Sequence, residues 1–93
     1  VSNARTRKKR RARKGAVVAW KEQATWLINL IEDLHALASP HGRKWKLKMI
    51  RHYGKQFANL RENTPYGCVA EGNRIKDRID AILFEYQDID GEQ

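Results

Sequence analysis

Residues 16–38 read AVVAWKEQATWLINLIEDLHALA, and the fold follows from how their apolar positions are spaced. Trp20, Ala24, Leu27, Ile31, Leu34 and Ala38 recur at steps of three and four, which lines them up on one face of an α-helix. Ile28, Leu30 and Leu37 widen that stripe. A helix with one apolar side must bury it against other elements. Ser39-Pro40-His41-Gly42 then stops the helix, because proline disfavours helical backbone before it and glycine frees the chain after it.

The same reading extends outward. A second helix is expected over about residues 43–62, with Leu47, Ile50, Tyr53, Phe57 and Leu60 as its apolar line. Gly54 lies inside it and either costs about 1 kcal/mol relative to alanine or marks a close helix contact. A third helix is expected over about residues 65–89, opened by Thr64 as N-cap and Pro65 in the first turn. Its apolar line is Ile75, Ile79, Ile82, Tyr86 and Ile89, while Gly67 and Gly72 weaken its first two turns. Neither strand alternation nor an internal repeat stands out. The expected fold is all-α: a three-helix bundle over residues 16–93, preceded by a basic arm over residues 1–15. Trp20 and Trp26 are six residues apart and cannot both point inward, so Trp26 or Trp45 is expected at the surface.

Charge separates arm from body. The 93 residues carry 19 Lys and Arg against 11 Asp and Glu, a formal charge of +8. Nine of the basic residues lie between Val1 and Lys21, where no acidic residue occurs, and the remainder is near neutral. The block Arg5 to Lys14, RTRKKRRARK, holds eight basic residues in ten. With almost no apolar side chains, it is expected to be disordered when free and helical when phosphates neutralise its charges. Guanidinium groups offer planar donor forks to phosphates and guanine edges. An arginine-rich helix fits an RNA hairpin groove widened by bulges or loops, and it also fits the DNA major groove. A short Lys/Arg run also satisfies the requirements of a nuclear localisation signal.

The opening Ala4-Arg5-Thr6-Arg7, with Asn3 before it, resembles the arginine-rich motif of lambdoid-phage N proteins, transcription antiterminators that bind boxB RNA hairpins. Lys8, Lys9, Arg11 and Arg13 fall on positions that are usually basic there. The resemblance covers about fourteen of the 93 residues. It implies that the opening residues contact the RNA stem and loop. It also implies a role for Trp20, which lies two residues beyond the place where one member stacks a tryptophan on the loop. Three positions depart from the pattern: Ala12 replaces the second arginine of a pair, Arg10 stands where an acid is common, and Gly15 interrupts a helical stretch. The resemblance further implies a protein partner for the helical body within the transcription machinery, RNA polymerase or its elongation factors.

Lys44, Lys48, Arg51 and Lys55 recur at steps of four, three and four, so they share a face of the second helix, with Arg43 and His52 at its edge. Either they extend the phosphate-binding surface or they are balanced by Asp77, Asp80, Glu85 and Asp88 of the last helix. The expected nucleic-acid contacts are therefore Ala4, Arg5, Thr6, Arg7, Lys8, Lys9, Arg10, Arg11, Arg13 and Lys14 on the arm, then Trp20, and Lys44, Lys48, Arg51 and Lys55 on the body. His35, His41, His52 and Cys68 have no metal-ligand spacing, and no Ser-His-Asp, Cys-His or glycine-rich phosphate-loop pattern occurs. No enzyme activity, cofactor or metal is expected. A single cysteine and no apolar run of about 20 residues agree with a reducing compartment and no membrane span. That compartment is a bacterial host cytoplasm for a phage protein, or the nucleus for a eukaryotic one. Three functional readings follow: an RNA-hairpin-binding regulator, a viral or mobile-element protein that binds or packages duplex DNA, and a helical interaction module with a localisation signal.

Overall fold

A computed structural model describes the backbone of residues 2–38 and 40–91 and the side chains of residues 15–38 and 40–89. The chain forms α1 (Ser2–Ala36), α2 (Gly42–Arg61), α3 (Val69–Phe84) and a short turn of helix, α4 (Gln87–Gly91). No strand occurs among the described residues. The bundle is the expected all-α architecture. The arm residues Ala4 to Arg13 and Lys14 have side chains outside the described residues.

The core is built from the apolar lines of three helices. Trp20, Ala24, Leu27 and Ile31 of α1 meet Leu47, Ile50 and Phe57 of α2 and Ile75, Ile79 and Ile82 of α3, all of them buried. Cys68, Tyr86 and Ile89 complete the cluster, and Ile28, Leu34, Tyr53 and Leu60 pack against it partly exposed. The buried thiol behaves as a small apolar side chain. The Trp20 indole lies against Phe57 with ring centroids 6.5 Å apart, and its Nε1 donates to the Leu60 carbonyl at 3.2 Å. On α3, Gly72 is buried against the indole, and a Cβ there would lie 3.4 Å from Trp20 Cζ2, in van der Waals contact. At Gly54 the corresponding distance, to Ile79 Cγ2, is 3.6 Å, an ordinary van der Waals contact that an alanine would also make.

The backbone of α1 starts at Ser2, where the sequence reading expected an arm that is disordered when free and a helix only from about residue 16. Three boundaries farther along the chain also differ from the expectation. The helix α1 ends at Ala36 rather than Ala38. Leu37 N–H closes a tight turn onto the Leu34 carbonyl, which leaves Leu37 47% exposed rather than on the buried stripe. Ala38 is also exposed. Thr64 is not the N-cap of the third helix. Its hydroxyl donates back to the Arg61 carbonyl at 2.7 Å, so it closes the end of α2. Gly67 adopts a φ of +99°, a left-handed conformation. The chain therefore turns through Pro65–Cys68, and α3 begins only at Val69.

The third difference is a break after Phe84, where one continuous helix was expected. Ile89 N–H bonds to the Tyr86 carbonyl. The Glu85 carbonyl, which a continuous helix would pair with that N–H, instead accepts Arg43 Nη2 at 2.7 Å. The same guanidinium bonds both Asp88 carboxylate oxygens at 2.7 and 3.0 Å and lies 5.3 Å from the Tyr86 ring centroid. The Tyr86 hydroxyl shares a 3.0 Å hydrogen bond with His35 Nδ1, and His35 Nε2 lies 3.1 Å from Glu85 Oε2. An imidazole carrying its proton on Nε2 satisfies both partners. Burial pushes the Tyr86 phenol above its ordinary pKa. A second inter-helix pair joins Arg78 to Glu32 through two bonds of 2.8 and 2.9 Å.

The burial pattern yields a stability prediction. Trp20→Ala should cost about 3–5 kcal/mol in denaturant unfolding, as large-to-small core changes do, whereas Trp26→Ala, at a side chain 52% exposed, should cost less than about 1 kcal/mol. Comparable losses at the two sites would contradict the packing. A pH prediction follows from the ion pairs. The Arg78 hydrogen bonds hold the Glu32 carboxyl below its ordinary pKa, and those of Arg43 do the same for Asp88. A depressed folded-state pKa contributes stability above the unfolded value, and that stability is lost as pH falls through the folded value. The melting temperature should therefore hold from pH 7 to about 5 and decline below about 4. Glu32→Gln and Asp88→Asn should each flatten the decline; an unaltered acid limb in both variants would exclude these pairs as its source.

Candidate nucleic-acid interface

The helix α2 carries Arg43, Lys44, Lys46, Lys48, Arg51, Lys55 and Arg61 and no acidic residue over its 20 positions. Its apolar line holds it against α1 and α3, and the helical period leaves the basic stripe facing outward. Lys44, Lys48, Arg51 and Lys55 do lie together. With Leu47, His52 and Ile89 they line one open hollow of about 580 Å³. Lys44, Lys48 and Lys55 are exposed and Arg51 is half-buried.

Three of the four acidic residues weighed as counter-charges for this stripe, Asp80, Glu85 and Asp88, reach other partners. Asp88 is held by Arg43, Asp80 by Lys76 on its own helix at 2.6 Å, and Glu85 faces His35. Among the described residues, Lys44, Lys48 and Lys55 form no ion pair. The stripe thus keeps a positive surface with an apolar floor. Arg43, at its edge in sequence, is committed to the C-terminal turn.

Trp20 cannot serve as a stacking residue in this fold. It is 4% exposed, and its indole N–H is spent on the Leu60 carbonyl, so a base reaching it would have to open the core. Among the described residues, Trp20 is the first buried one of α1, after Val17, which packs partly exposed against the core.

The surface aromatics that sequence reasoning did not assign lie elsewhere. Trp26 is exposed and meets Tyr53 of α2 edge-on at 6.2 Å. Tyr53 in turn touches His52 at 5.0 Å, and Trp45 packs on His41 at 5.2 Å. Their sequence signal is a second row on α2. His41, Trp45, Lys48, His52 and Lys55 are spaced four, three, four and three apart, so rings and cations share one line.

Arm and stripe occupy different ends of the bundle. Trp20 meets Phe57 and Leu60, and Trp26 meets Tyr53, so α1 and α2 run antiparallel. The arm therefore joins the body beside the C-terminal end of α2, whereas the stripe runs about 16 Å toward its N-terminal end. A nucleic acid that touched both would have to follow the length of the bundle.

Among the described residues, no cluster of three or more His, Cys, Asp or Glu side chains is placed to hold a metal ion. No helix among them is long and apolar enough to cross a membrane. No known protein family, curated protein or solved structure matches the chain.

Proposed function

We propose that this chain is an RNA-binding regulatory protein whose arginine-rich arm folds on an RNA hairpin and whose helical body engages a protein partner. The observation that carries the reading is the block Arg5 to Lys14, eight basic residues in ten, with no acid before Glu22. The Ala4-Arg5-Thr6-Arg7 opening favours RNA over duplex DNA through its resemblance to phage N proteins. By that resemblance the protein is a transcription antiterminator, and the partner of the body is RNA polymerase or one of its elongation factors. The arm is proposed to supply Arg and Lys contacts to phosphates and base edges, with binding offsetting the entropy of ordering it. A second reading, a viral or mobile-element protein that binds or packages duplex DNA, draws support from Lys44, Lys48 and Lys55, which line one hollow and form no ion pair among the described residues.

The isolated peptide Val1 to Lys21 decides between the partners when titrated against RNA hairpins and duplex DNA. It should prefer a hairpin, gain helical circular dichroism on binding, and lose affinity with salt by about 0.9 log units per contacted phosphate. Equal affinity for hairpin and duplex at moderate salt would sink the RNA reading. In the full chain, the duplex reading expects Lys44→Glu with Lys48→Glu to weaken duplex binding as much as deleting the arm does; unchanged duplex affinity would rule that reading out. Gly15 gives a finer probe. A Cβ there meets nothing within 4 Å, so Gly15→Ala should favour the helix by about 1 kcal/mol. Hairpin binding should tighten about fivefold if folding and binding are coupled; unchanged affinity would argue against coupling.

A further inference from the structure

We propose that the outer face of α2 binds single-stranded nucleic acid, with phosphates following Lys48 and Lys55 and bases stacking on Trp26, Trp45 and His52. The inference rests on the nucleic-acid reading above and adds a second site, on the body rather than the arm, with its own substrate class. The ring-and-cation row of α2 carries it. Trp45, Lys48, His52 and Lys55 alternate at steps of three, four and three, so each cation lies within one helical turn of a ring.

Every member of that row is reachable. Lys48, His52 and Lys55 are exposed and Trp45 is half-buried. Across the seam with α1, Trp26 extends the ring surface. Its indole is 52% exposed and is propped edge-on by Tyr53, which also touches His52. Tyr53 thus supports Trp26 and His52, both of them exposed. On the stripe side, Lys44 and Leu47 continue the surface into the basic hollow. On the α1 side, Glu22 and Lys21 line a shallow hollow together with Trp26. No acid lies on α2 itself.

This combination selects a single strand over a duplex. In a duplex the base faces are stacked on one another, and a basic stripe without rings suffices to hold its backbone. Exposed rings interleaved with cations match unstacked bases, because every base offers a π-face and every nucleotide a phosphate. The row spans about 15 Å, a few nucleotides of extended strand. The arm and this face could then hold the paired and unpaired parts of one RNA.

The test uses the full chain and oligouridylate of about ten nucleotides, within the usual site-size range. An RNA duplex of the same length and poly-glutamate serve as controls. Oligouridylate should quench tryptophan fluorescence and bind more tightly than either control. Trp26→Leu and His52→Ala, both at solvent-facing positions, should each weaken it about tenfold, and the first should remove part of the quenching. Lys48→Glu with Lys55→Glu should weaken binding and lower its salt slope by about one to two units. Equal binding of duplex or poly-glutamate would overturn the site, as would Trp26→Leu and His52→Ala variants that both match the parent.

A full-length variant with Arg7→Ala, Arg11→Ala and Arg13→Ala separates the two readings. It should lose hairpin binding and keep the oligouridylate quenching. Quenching lost in the arm variant, with Trp26→Leu silent, overturns the α2 site and leaves the arm reading standing. Hairpin binding retained in the arm variant, with oligouridylate binding lost in Trp26→Leu, overturns the arm reading and leaves the α2 site standing.

Discussion

The buried Trp20 indole is the contact on which the bundle depends. It is the largest side chain in the core of a small domain, and it reaches both of the other long helices. Its ring packs on Phe57 of α2, its N–H takes a carbonyl at the end of α2, and it lies against Gly72 at the start of α3. A buried indole N–H without an acceptor would lose a hydrogen bond it makes in water. The Leu60 carbonyl lies in the last turn of α2, where it also accepts the Asn63 N–H at 3.1 Å. One side chain therefore sets the register of α1 against α2 and the approach of α3, and it fixes where the basic arm meets the body.

That register has an electrostatic consequence. The cations and acids of the body could in principle have cancelled one another, since their numbers beyond Lys21 are nearly equal. The packing does not let them cancel evenly. Arg43 is drawn to Asp88 and the Glu85 carbonyl, Arg78 to Glu32, and Lys76 to Asp80. The first two contacts tie the C-terminal half to the first two helices, the third lies within α3, and Lys44, Lys48 and Lys55 stay on the outer face of α2. A body that looks near neutral in composition thus presents a polarised surface.

Much of the fold was legible in the apolar spacing. Leu27, Ile31, Leu47, Ile50, Phe57, Ile75, Ile79 and Ile82 are buried where the three- and four-residue steps place them. The exposed Trp26 was legible as one member of a pair that cannot both face inward. The break after Phe84 was not, because Tyr86 and Ile89 keep the helical spacing on both sides of it, and the Glu85 carbonyl there is taken by Arg43, 42 residues earlier in the chain. Nor was Thr64 legible as the closing residue of α2, since a threonine before proline reads equally well as the start of the next helix. Among candidate site residues, the basic stripe was readable from its period. Trp20 was misassigned because stacking on RNA and packing in a core call for the same kind of side chain.

The amino-acid sequence by itself determined the helical class, the faces that are buried, and the concentration of positive charge ahead of Glu22. These are local properties, set by the period of the α-helix and by composition within a few residues. Only the tertiary structure decided which tryptophan is core and which is surface, which acids neutralise which cations, and where rings and lysines meet on α2. Those outcomes depend on contacts between residues tens of positions apart. Many pairings satisfy the local rules, and the single packing around Trp20 selects one.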